Sequence, residues 1–164
     1  MHPAVGPAWL VWLETSALAV AMRQWTWLYP SVEIVHILGF VVLVGAAVMF
    51  DLRLLGLSPS LPVSGLERHL LRAARASTAL VVPSGILMFA AHATEMADNP
   101  AFRLKLAFLA AALLNAALFH RAPFRTVASW NLYRPAPRAA RAAAVVSLIL
   151  WVAVITCGRL LAYL

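Results

Sequence analysis

The chain is poor in charge. Only 12% of its 164 residues are Asp, Glu, Lys or Arg, where a soluble globular domain carries about 25%. That shortage, with 63% hydrophobic residues and a mean hydropathy of +0.86, excludes a soluble enzyme, a disordered tail and a coiled coil. Cysteine is nearly absent. The single Cys157 excludes an internal disulfide and every thiolate zinc cluster. Lysine is as scarce: Lys105 stands alone, and the other twelve basic residues are arginine. The sequence has no nucleophile–base pair, no phosphate-cradling glycine loop and no Walker signature, so hydrolytic and nucleotide chemistry have no support. It has no secure internal repeat and no low-complexity tract.

What is present is a set of long uncharged runs. They are Ile34 to Phe50 (17 residues), Ala76 to Thr94 (19), Leu106 to His120 (15) and Ala142 to Gly158 (17). A spanning helix needs about 20 mostly apolar residues, and snorkelling of the flanking Arg, Lys or Glu supplies the rest. Turn signals separate the runs at Ser58-Pro59-Ser60-Leu61-Pro62, Asp98-Asn99-Pro100 and Arg134-Pro135-Ala136-Pro137. Four transmembrane helices follow, over about 30–57, 66–93, 100–121 and 138–162. The stretch from Ala8 to Met22 has apolar residues at helical spacing but is too short to span. It ends in Trp25, Trp27 and Tyr29, residues suited to a membrane interface. Met1 to Gly6 has no basic residue and does not read as a signal peptide. The expected fold is an all-α membrane protein: an N-terminal interfacial amphipathic helix within 1–29, then a four-transmembrane-helix antiparallel bundle over 30–164.

The net charge of +7 would suit nucleic acid only on a basic face of a water-soluble body. Here nine of the thirteen basic residues fall in the two loops that share one side: Arg53, Arg68, Arg72, Arg75, Arg121, Arg125, Arg134, Arg138 and Arg141. The positive-inside rule makes that side cytoplasmic and puts both termini on the periplasmic side of a bacterial inner membrane. Nucleic acid is not an expected partner; the lipid bilayer is.

An ionisable residue inside a membrane helix is costly and marks a functional candidate. His36 lies about two turns into the first helix and His92 at the same, outer side of the second. His69 and His120 form a second layer at the inner side, beside arginines, where anchoring at the headgroups competes with ligation. Facing imidazoles in a bundle are an axial-ligand arrangement for b-type haem. The two layers are about 34 Å apart along the second helix, so one haem is expected rather than two. His92 is the favoured second ligand; Lys105 shares the depth of His36 and is its competitor. Glu33 and His36, with His92 and Glu95, form two pairs that could converge on one outer site suited to zinc, iron or copper(II). Met88 and Met96 lie near that end and would favour copper(I), although methionine is also a common apolar filler. Pro83 should kink the second helix and leave a carbonyl to be satisfied. Asp51 and Arg53 are expected to form a boundary salt-bridge network.

The stretches Glu33 to Gly39, Phe50 to Gly56, Asn99 to Leu106 and Asn115 to His120 resemble a family of small bacterial membrane proteins without an assigned activity. More distantly, His36, Gly39, Lys105, Leu106, Ala107 and Asn115 are similar to a pattern in the CopD copper-resistance proteins. His36 and Lys105 also fall where the HemJ protoporphyrinogen oxidases, four-helix haem proteins, have their essential histidine and lysine. The resemblance implies a haem- or metal-binding bundle in which His36 and Lys105 are the most transferable residues. The resulting expectation is a haem b cytochrome-like protein in electron transfer, an oxidoreductase if an enzyme at all. Its partners would be a quinone and the subunits of a larger membrane complex or further copies of itself. Two alternatives are a copper or other divalent-metal handling protein and a cofactor-free structural subunit.

Overall fold

The computed structural model describes residues 6–163, and every regular element among them is helical. Four helices are long and apolar enough to cross a membrane: α3 (Leu28–Leu54), α4 (Val63–Ala91), α6 (Pro100–Arg121) and α7 (Arg138–Leu160). Two short helices, α1 (Ala8–Glu14) and α2 (Ala17–Gln24), precede them. The six-residue α5 (Ala93–Asp98) joins α4 to α6, and a 3₁₀ turn over Pro123–Ser129 follows α6.

Local chemistry accounts for the boundaries. Pro30 lies in the first turn of α3, where a missing N–H is tolerated, so the helix begins two residues before it. Pro62 and Pro137 stand just outside α4 and α7. Asn99 caps α6 by accepting from the backbone N–H groups of Ala101 and Phe102, at 2.9 and 3.3 Å. Gly56 takes a φ of +113°, which ends the first helical hairpin strand of chain and turns it towards α4.

Consecutive spanning helices are antiparallel. α4 packs along α3, α7 packs along α6, and α3 also meets α7. Gly39 makes the first pairing close: a Cβ there would lie 2.9 Å from Val81 Cγ2 and 3.2 Å from Leu80 Cβ. Side chains of α4 and α6 meet near both ends, through stacked Phe89 and Phe102 (5.3 Å between ring centroids) and through Glu67 and His120. The largest buried apolar cluster lies at the arginine-rich end, where Leu54, Val63, Phe119, Trp130, Ala136, Ala140 and Ala144 close the bundle. Leu106, Leu113, Leu114, Val145, Ile149 and Val152 are exposed on α6 and α7, as lipid-facing surfaces require.

Arg53 and Asp51 are not paired with each other. Arg53 is buried and donates instead to the carbonyls of Leu61 (2.8 Å), Pro59 (3.2 Å) and Asn131 (3.2 Å). Residues two apart on a helix point in different directions, so Arg53 is turned to the loops and Asp51 into the bundle. The guanidinium thereby ties the α3–α4 loop to the segment between α6 and α7.

Candidate functional site

The His36 ring on α3 is held by two polar atoms of α4. Its Nδ1 lies 3.1 Å from the carbonyl oxygen of Val81 and 3.0 Å from Ser84 Oγ, both on α4. A carbonyl oxygen only accepts, and Ser84 uses its own proton to donate to the Leu80 carbonyl at 2.6 Å. Nδ1 therefore carries a hydrogen, and in the neutral form of the ring Nε2 presents a lone pair. Pro83 explains why these partners gather here. It removes the N–H that would reach the Ala79 carbonyl, and the next residue, Ser84, turns back onto its own helix. Gly85 leaves room for the imidazole: a Cβ there would lie 3.1 Å from its Cε1. On α3 itself Phe40 stacks against His36, and Phe40 in turn meets Trp151 of α7 edge-on at 6.1 Å.

Lys105 and Glu33 are the charged residues within electrostatic range of His36. Lys105 is partly buried on α6, and its Nζ reaches to 3.9 Å from the Cβ position of Gly158, beside Cys157 on α7. Glu33 is exposed on the His36 helix. Together they place one imidazole, one amine and one carboxyl group on two helices, α3 and α6, in the half of the bundle that carries both ends of the described chain.

His92 stands apart from this group. It occupies the break between α4 and α5, edge-on to Tyr29 at 6.0 Å, with Nδ1 3.8 Å from Glu95 Oε2. Tyr29 precedes His36 by seven residues, or about 10 Å along α3, so His92 and His36 contact α3 at different levels. Glu95 is largely exposed. Among the described residues no three His, Cys, Asp or Glu side chains gather to hold a metal ion, so Glu33, His36, His92 and Glu95 are not brought together into one such group. At the arginine-rich end His69 is exposed. His120 is half-buried against Phe119 and Phe124, with Nδ1 4.0 Å from Glu67 Oε1.

Several residues escaped the sequence reading. Ser84 is invisible as a partner until α3 and α4 are paired. Glu67 lies in an arginine-rich stretch, where it reads as a solvated charge. Glu14 and Arg23 interrupt the apolar N-terminal stretch, and nothing in the sequence marks their partners. In the fold Arg23 donates to the Ala91 carbonyl at 2.6 Å, capping α4, and Glu14 accepts from Thr94 N–H (2.8 Å) and Thr94 Oγ1 (2.7 Å), capping α5. Partial burial pushes the Glu14 carboxyl up. The two Thr94 hydrogen bonds, with Arg23 and His92 nearby, outweigh that and hold it below the ordinary carboxylate value.

The family described as a family of unknown function, DUF6644, matches residues 9–164. The chain belongs to that family. The match takes in α1 to α7, so the N-terminal helices and the bundle fall within one DUF6644 unit. No curated protein and no solved structure matches, and the likeness to CopD and HemJ proteins therefore gains no support from them.

Proposed function

We propose that this DUF6644 protein is a haem b-binding, cytochrome-like protein of the bacterial inner membrane that takes part in electron transfer. In this reading both termini are periplasmic, and the chain serves a quinone-linked or respiratory complex. The observation that carries it is the His36 ring. Its Nδ1–H is engaged by Val81 and Ser84, the pattern that fixes a ligating histidine's tautomer and orients Nε2. The donor set fits a haem, which when bound supplies one-electron redox chemistry. His36 would hold the group through Nε2. Lys105 is favoured over His92 as the second residue to hold it, because its charge acts on His36, whereas His92 sits at the α4–α5 break beside Tyr29. The resemblance to HemJ and CopD proteins around His36 and Lys105 points to the same two residues.

The test is the absorption spectrum of protein purified in native lipid from iron-supplied cells. A Soret band and a reduced α band are expected, both lost in His36→Ala. Lys105→Met should shift the spectrum or weaken haem retention, and His92→Ala should leave it close to wild type. Absence of both bands overturns the proposal. Stoichiometric copper without porphyrin would establish the metal-handling alternative, and neither cofactor would leave a structural subunit.

A further inference from the structure

We infer that Asp51 is a proton-binding carboxyl, built between α3 and α7 at the arginine-rich end of the bundle. Asp51 is 6% exposed, and its Oδ2 is buried with no hydrogen-bond partner among the described residues. From α7, Ser147 sets its hydroxyl against the same carboxyl group. An ionised carboxylate has about four acceptor sites and, when buried, requires donors or a cation to offset lost hydration. One hydroxyl meets little of that demand.

The charges nearby are engaged elsewhere or face outward. Arg53, on the same helix, donates to three loop carbonyls. On α4, Glu67 faces His120 of α6, while Arg68 and His69 are exposed. Arg121 on α6, and Arg138 and Arg141 on α7, are also exposed. None of these forms an ion pair with Asp51. A proton resolves the mismatch: it removes the charge and turns one oxygen into a donor. A metal cation would not, since calcium takes about six to eight oxygen ligands and magnesium about six, against one carboxyl and one hydroxyl here. The proton comes from water and returns to it, and only an O–H bond forms and breaks. Asp51 is fifteen residues beyond His36, about 22 Å along α3, so the site stands independently of the haem reading.

The experiment uses the full chain in phosphatidylcholine liposomes treated with dicyclohexylcarbodiimide, an apolar reagent for protonated carboxyls, followed by peptide mass spectrometry. An adduct on Asp51 is expected over the pH range in which the carboxyl holds its proton, falling about tenfold per pH unit above it. The exposed Glu33, Glu95 and Asp98 should react instead with a water-soluble carbodiimide. In infrared spectra, a protonated-carboxyl band should be present in the wild type, absent in Asp51→Asn and shifted in Ser147→Ala. A merely structural Ser147 would leave that band in place. No adduct on Asp51 at any pH, or loss of an ionised-carboxylate band in Asp51→Asn at the acid end of the range, overturns the proposal. Labelling of the wild type reads the site even if the variant does not fold.

Discussion

At the residue scale, three of the few ionisable groups satisfy backbone atoms of distant elements. Arg53 serves three carbonyls, Arg23 serves Ala91, and Glu14 serves Thr94. Glu14 gives a pH test. Its folded-state value is depressed, so its contribution is present above the unfolded value, set near 4.5, and is lost as pH falls through the lower folded value. Acidification through that range should release α1 from α5, read as faster amide exchange across Ala8–Glu14. Glu14→Ala should produce the same release at neutral pH, at a cost of about 1–2 kcal/mol, and flatten the pH dependence. Unchanged exchange in Glu14→Ala would contradict the assigned role. That pairing was not legible in the sequence, because the partners are 80 residues apart.

At the scale of elements, the four spanning helices were legible because an uncharged apolar run of helical length has few other solutions in a bilayer. The N-terminal stretch was less so. Ser16 accepts from the Ala19 N–H and starts a second helix, so two short helices replace the single one expected. Gly39 shows how one pairing is set. With Val81 and Leu80 this close, Gly39→Leu should force α3 and α4 apart and destabilise the bundle by about 1–3 kcal/mol. The midpoint of thermal unfolding in detergent measures it. Gly45 has open space at its Cβ position, and Gly45→Ala should leave that midpoint unchanged or raise it.

At the scale of the whole molecule, the arginine-rich end is closed by an apolar core and the Arg53 tie, while the opposite half holds His36, Lys105 and Glu33. Arg53→Met should cost about 3 kcal/mol, since it strands three partly buried carbonyls. Chemical denaturation followed by circular dichroism would show it, and a loss below measurement error would contradict the structural role. Topology is tested by impermeant maleimide. Ser60→Cys and Arg134→Cys should label from one side of the membrane and Trp12→Cys from the other, whereas the native Cys157 is buried.

The sequence by itself determined the number of spanning helices, their antiparallel order and the short list of polar residues within them, because composition and run length are one-dimensional and a bilayer punishes most other arrangements. The tertiary structure alone decided which members of that list meet. Helix pairing turned His36 onto Ser84 and the Val81 carbonyl, kept His92 with Tyr29, sent Arg53 to the loops and left an oxygen of Asp51 without a partner. Depth along a helix is readable from residue number, but the direction a side chain faces, and what packs against it, depends on neighbours distant in sequence.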